Sequence, residues 1–359
     1  MKLFFRKSSG APTYDPGPPA YMQEKYLTDP DRVGEKLAQQ HHILTAKFIA
    51  DRYPRKKDAL ARMGSVIRVG HSTDIPGTRL DTSRGLEAGM LPFNGPIVYH
   101  GTLNPWSERD HRPDPKRFST WGLMGGRALY ATTSPETAAG YGTVGPHSPS
   151  SSQPEVHVFG LPKEMRFKRM SWTSGDPEPR LTDNDASSII DWIEHVLAWH
   201  GITHNGPHAK KYFKIWQDTA GKLISGHKLH TAMLYFGHHL RDLTREYRSA
   251  NFTKELEKLG PEVKQRYDTS RLGTYNDWLH TSELESLALA AAGYDGARTT
   301  AGVFRGAAPG SSSLPEVSTE HWYTIFPHAV DMLHHLGSYR GHKEIEGLKA
   351  QSEEKGSRT

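Results

Sequence analysis

The sequence predicts an α+β protein, and three observations carry that prediction. Two short segments, Val98-Tyr99-His100-Gly101-Thr102 and Ala128-Leu129-Tyr130-Ala131-Thr132-Thr133-Ser134, lead apolar residues into a polar or glycine-bearing end. Each reads as a buried strand that delivers one side chain, His100 or Tyr130, to a cleft. A long block, residues 180–270, carries apolar residues at helical spacing, and strand signals return after Gly293.

The elements follow in order. Residues 1–28, with Pro16, Pro18 and Pro19 among glycines and serines, read as a flexible arm. Asp31 can cap a helix whose Val33, Leu37, Ile43, Leu44, Phe48 and Ile49 recur at near-helical spacing as far as Arg52. A short helix over 55–63, a strand over 66–69 and a loop over 74–95 complete an N-terminal extension, residues 29–95. After the second strand, Ser134 is a good N-cap with Pro135 at the first helical position, so a helix begins there and carries Tyr141 back toward the strand end. Residues 142–154 form a low-complexity loop that suits a mobile lid, and 156–161 a further strand. The block 180–270 is a helical insertion; 283–292 is a compact helix ended by Gly293; Tyr294-Asp295-Gly296 turns into a strand; and 319–326 is another, stopped by Pro327. The main domain spans 96–336, and 337–359 is a polar, frayed tail.

Composition narrows the chemistry. A chain of 359 residues buries a core without staples, and the absence of cysteine removes zinc-thiolate sites, iron–sulfur clusters and thiol nucleophiles. No window approaches the roughly 18 apolar residues of a membrane span, and no signal-peptide stretch follows Met1, so a soluble, cytoplasmic protein is expected. The net charge of +5 permits a phosphate-rich partner without demanding one. His200, His204 and His208 repeat every four residues as helical metal ligands do, but Gly201, Gly206 and Pro207 interrupt them and no His-Glu-x-x-His motif is present; no metal site is expected. There is no Gly-x-Gly-x-x-Gly or Walker loop, so hydride transfer and nucleotide hydrolysis have little support.

The layout of the two strands suits a dinucleotide pocket. Tyr99-His100-Gly101-Thr102, followed by Tyr130 and, eleven residues later, Tyr141, resembles the ADP-ribosyltransferase superfamily. The resemblance is to the histidine-tyrosine-glutamate branch of diphtheria toxin and poly(ADP-ribose) polymerase. It covers residues 95–165 and 280–332 and implies a core of two small packed sheets.

The resemblance implies cleavage of the nicotinamide–ribose bond of NAD, as substrate, through a transition state that is cation-like at the anomeric carbon, as in glycoside cleavage. His100 then hydrogen-bonds ribose hydroxyls, Gly101 lets the backbone approach the carboxamide, and Thr102 completes the motif. Tyr130 and Tyr141 sandwich the pyridinium, and a hydroxyl from Ser134 or Thr137 also binds the carboxamide. A late carboxylate steadies the cation: Glu320 is the first choice, sharing a strand face with Trp322, Thr324 and Phe326, and Glu316 is the fallback. Mono-transfer to a macromolecular acceptor, a protein ahead of a nucleic acid, is expected, as in toxins and phage-borne modifiers. Two alternatives stand beside it. A RES-type NAD-degrading toxin shares the Leu-Tyr strand and Ser-Pro-Glu-Thr-Ala helix start but has arginine where His100 stands. A non-catalytic interaction or virion structural protein retains such a core without turnover.

Overall fold

The computed structural model describes residues 15–23, 30–56, 95–102, 127–143, 155–170, 180–247, 260–262, 281–300 and 320–340, with 344 and 347. The expectations for 57–94, most of the lid at 144–154, and Glu316 fall outside them. The fold is α+β. In chain order its elements are α1 (Pro30–Arg52), β1 (Ile97–Thr102), β2 (Leu129–Thr132), α2 (Pro135–Thr143), β3 (Glu155–Gly160) and β4 (Phe167–Arg169). Then come α3 (Asp183–Trp199), α4 (Ala209–Ile224), α5 (Leu229–Tyr247), α6 (Thr281–Ala291), β5 (Gly296–Thr300), β6 (His321–Ile325) and β7 (His334–Arg340).

All seven strands form one sheet in the order β4-β5-β6-β2-β1-β3-β7, with β4 and β5 parallel and the other neighbours antiparallel. This corrects the expectation of two separate packed sheets. The halves β4-β5-β6-β2 and β1-β3-β7 are joined by one rung, Tyr99 paired with Thr132, whereas β1 and β3 pair along their whole length from Ile97 with Gly160 to Thr102 with Glu155. The single rung makes the sheet continuous and leaves a seam between β1 and β2.

Strand alternation sorts the two faces. Val98, Leu129, Ala131, Phe159, Tyr323 and Ile325 cluster on one, under Ala329 and Val330 of the 3-10 turn Pro327–Met332. On the other, Ala138 and Ala139 of α2 pack on Val156, flanked by Tyr99 and Tyr339.

The largest core lies among the helices. Trp192, Ile193, Val196 and Leu197 of α3, Ile215 of α4, Met233 and Phe236 of α5, and Leu287 and Ala291 of α6 pack with Leu37, Leu44 and Ile49 of α1. Thr182 starts α3 with a capping box, accepting from the Asp185 N–H at 3.2 Å. Gly293, at φ 86°, ends α6 in the left-handed conformation and returns the chain toward β5. Asp295 then ties the helices to the sheet: its buried carboxylate accepts from Lys56 Nζ at 2.6 Å and from the Arg166 N–H at 2.9 Å.

Two sequence expectations change. Residues 15–23 are docked, because the buried Gln40 amide accepts from the Ala20 N–H and donates to the Pro16 and Pro18 carbonyls, while the Trp199 indole donates to Gly17 O. Residues 337–340 are not a frayed tail: β7 pairs along β3 through Tyr339 with Val156 and Arg340 with Glu155. The interruption at Gly201, Gly206 and Pro207 is as expected: His200 caps the C-terminus of α3, where the Tyr21 hydroxyl meets its Nδ1 at 2.7 Å, and His208 is the N-cap of α4, so the three spaced histidines share no helix face.

Candidate functional site

The site forms where β2 runs into α2. Ser134 behaves as the spacing predicts: its hydroxyl accepts from the Thr137 N–H at 3.0 Å, with Pro135 at the first helical position. That tight turn sets Thr132, Ser134 and Thr137 on one short arc. Across the ladder, Thr132 pairs with Trp322 and Tyr130 with Thr324, and these four share the α2 face of the sheet.

Glu320 stands immediately before β6 on the same face by alternation with Trp322 and Thr324. The Thr132 hydroxyl donates to its Oε1 at 2.5 Å, and the Thr137 hydroxyl to its Oε2 at 3.2 Å. Thr132 Oγ1 also accepts from the Ser134 N–H at 3.0 Å, so the helix start, the strand end and the carboxylate form one connected set. The register beside it is pinned twice: the Thr133 N–H donates to His321 O at 2.9 Å, and the His321 N–H to Thr133 Oγ1 at 2.9 Å. Glu320 is only 9% exposed, yet it is oriented through both oxygens.

His100 joins this group through the backbone. Its Nδ1 is 2.7 Å from Tyr130 O, and because a carbonyl only accepts, Nδ1 carries the hydrogen. Burial pushes the imidazole down to about 4, against the Tyr130 carbonyl, which favours the charged form. The ring is therefore neutral near pH 7 with Nε2 as the acceptor. Since Tyr99 pairs with Thr132, alternation puts the His100 side chain on the opposite face from the Tyr130 ring. Gly101 shares the Tyr130 face, and Thr102 lies with His100, paired with Glu155. Tyr141 lies within α2, and its side chain is outside the described residues. The structure thus brings Glu320, Thr132, Ser134 and Thr137 together, lays Tyr130 and Gly101 on the same face, and sets His100 across the β1–β2 seam.

Behind His100 lies a set that the sequence reading missed. The His157 ring stacks against it at 6.5 Å between centroids, with Nε2 3.2 Å from Glu155 Oε2 and Nδ1 3.3 Å from His335 Nε2. Arg340 Nε donates to Glu155 Oε1 at 2.8 Å. Burial raises the Glu155 carboxyl, but His157 and Arg340 outweigh it and hold the group at about 2, so it stays ionised. Burial lowers His157, against the Glu155 carboxylate, which favours its charged form. The polar–apolar alternation Glu155-Val156-His157-Val158-Phe159 is the one signal that marked these residues.

Among the described residues no group of three or more histidine or acidic side chains is arranged to hold a metal ion, and no helix is long and apolar enough to cross a membrane. Comparison with protein families, with curated proteins and with solved structures finds no match.

Proposed function

We propose that this chain is an ADP-ribosyltransferase that cleaves the nicotinamide–ribose bond of NAD and passes one ADP-ribose to a macromolecular acceptor. The observation that carries the reading is the Glu320 carboxylate, held through both oxygens by Thr132 and Thr137 at the edge of the face that bears Tyr130. A carboxylate fixed in this way is preorganised for positive charge that develops beside it, and needs no reorganisation as the bond breaks.

NAD lies across the β1–β2 seam in this proposal. The nicotinamide ring stacks on Tyr130, and the Gly101 backbone meets the carboxamide. His100, whose ring is on the opposite face from the Tyr130 ring, is a positioning residue in this proposal rather than the ribose ligand expected from the sequence: its Nδ1–H bond to Tyr130 O fixes the strand that carries the Tyr130 ring. The bond between the anomeric carbon and the pyridinium nitrogen breaks, and its electron pair leaves with neutral nicotinamide. Glu320 accepts from the ribose 2′-hydroxyl and stabilises the cation-like sugar. The acceptor's lone pair then forms the new bond to the anomeric carbon and its proton is lost.

Labelled NAD incubated with the purified chain and a cell lysate tests the reading. Nicotinamide release with label covalently held on a macromolecule as single ADP-ribose units supports it. Release of free ADP-ribose alone assigns the chain to the NAD-degrading alternative, and no nicotinamide release overturns the enzymatic reading.

A further inference from the structure

We infer that the exposed face of α4, continued by Tyr235 of α5, is a docking surface for single-stranded nucleic acid. The face is built by helical spacing: Lys210, Phe213, Lys214, Gln217, Gly221 and Ile224 recur at intervals of three and four. Tyr212, Ile215, Thr219 and Leu223 take the opposite side into the core. The stripe therefore belongs to a helix whose apolar side is already used, and it still exposes a phenylalanine at 58% and an isoleucine at 63%.

Charge on this face is one-sided. The helix has one acid, Asp218, and it is turned to α5, where His239 Nε2 meets it at 2.9 Å. Lys211 is likewise drawn to Glu246 of α5. Lys210 and Lys214 flank Phe213 and have no acidic partner among the described residues. Lys222 lies over the ring of Tyr235, 4.2 Å from its centroid, and that ring is 41% exposed. At the C-terminal end of the stripe, Ile224 also lines a cleft of about 390 Å³ together with Arg180, Asp183, Ile190, Leu223 and His227, so its lining carries one acid beside the cation.

Cations beside the exposed Phe213 ring, with Tyr235 presenting the ring face that Lys222 leaves uncovered, match a chain of phosphates carrying flat bases. Lysines neutralise phosphates whatever the sequence, and an exposed ring stacks on any base. A cleft of this size, with an apolar wall from Ile190, Leu223 and Ile224, has room for one unstacked base, while the phosphates are left to Lys210 and Lys214. An acidic protein surface would use the lysines but not Phe213 and Tyr235 as stacking platforms. The surface is separate from the Glu320 site, so its test needs no NAD and its outcome is independent of the transfer reaction.

Fluorescence polarisation with a labelled 20-nucleotide oligothymidylate, at several salt concentrations, tests the proposal on the full chain. The expected result is saturable binding with Kd of about 1–100 μM near physiological salt, falling as salt rises. The double variant K210E/K214E is expected to weaken binding at least about tenfold and to reduce the salt slope by roughly 1.4, the value for two lost contacts to a single strand. Phe213→Ala is expected to weaken it about tenfold with the salt slope unchanged. R55E/K163E, the same charge change at exposed positions elsewhere, is expected to leave binding within about twofold. Absence of saturable binding overturns the proposal, as does equal loss in R55E/K163E. Preferential binding of polyglutamate overturns it in favour of an acidic protein, and preferential binding of phosphatidylserine vesicles in favour of a membrane surface.

Discussion

Thr132 and Glu320, 188 positions apart in sequence, share a 2.5 Å hydrogen bond that joins the end of β2 to the start of β6. The threonine also receives the Ser134 N–H, so the capped start of α2 and the carboxylate are oriented by the same oxygen. Thr132→Val, nearly isosteric, removes that bond while the Thr137 bond to Oε2 remains. NAD cleavage is expected to fall about 10- to 100-fold in kcat, corresponding to roughly 1.4–2.7 kcal/mol, with KM changed little. Thr132→Ser, which keeps the hydroxyl, should restore most of the rate. Steady-state kinetics on both variants checks this, and a rise in KM at constant kcat would assign Thr132 to ground-state binding instead.

The Glu283 carboxylate is a second tightly held charge, and its role is structural. Its Oε1 accepts from Arg127 at 3.0 Å and lies 2.6 Å from His42 Nε2, with both pairs almost wholly buried. Glu283→Gln keeps the shape and removes the charge facing a buried guanidinium. A loss of about 3–5 kcal/mol is expected, because Arg127 is left uncompensated rather than returned to water. Urea denaturation measures it, and a change below about 1 kcal/mol would mean that Arg127 relaxes to solvent.

Stability should fall as pH drops through the histidine range. Burial pushes His41 down to about 4 and His200 well below its ordinary value, and His200 anchors the N-terminal segment through Tyr21. Their folded values lie below the unfolded value of about 6.5, so in acid the unfolded chain binds more protons. The contribution is therefore complete above about pH 6.5 and is lost toward pH 4, amounting to the order of 3 kcal/mol for His41 alone. Glu155, held at about 2, adds stability that persists until the pH falls below the ordinary carboxyl range. Urea midpoints at pH 7, 6 and 5 should decline, and less steeply in His41→Leu. A flat profile would contradict the buried neutral histidines.

Two glycines should respond in opposite directions to the same change. A methyl group on Gly296 would stand 2.3 Å from the Thr324 carbonyl oxygen and 2.8 Å from the Phe167 ring, so Gly296→Ala must push β5 away from β6. Gly221, in the interior of α4, meets nothing within 4 Å, and Gly221→Ala should add about 0.5–1 kcal/mol by helix propensity and reduced unfolded-state freedom. Thermal melts of the two variants should move to opposite sides of the parent.

Local rules made part of the site readable. Ser134 and Pro135 announce a helix start within four residues, and the apolar approach to Tyr130 announces a strand, so β2 and α2 emerge from neighbouring side chains. What joins Thr132 to Glu320 is register between distant strands, which no local pattern encodes. β7 escaped notice because His334-His335-Leu336-Gly337-Ser338-Tyr339-Arg340 is a half-exposed edge with little apolar content, and its pairing with β3 decides its conformation. The docked segment 15–23 is held by Gln40 of α1 and by Trp199 and His200 at the end of α3, and proline and glycine content conceals such long-range partners. The histidine periodicity at 200, 204 and 208 was readable because Gly201, Gly206 and Pro207 mark the break between α3 and α4, which leaves His200 and His208 at helix ends.

The direct test of Glu320 is the rate of nicotinamide release from NAD by the parent chain and by Glu320→Gln, with NAD affinity measured alongside. If the carboxylate stabilises the cation-like sugar, release should fall by at least about 100-fold while NAD affinity stays within a few-fold, since the lost interaction belongs to the transition state. Equal release by the two proteins would contradict the role given to Glu320 and, with it, the proposed chemistry of this site.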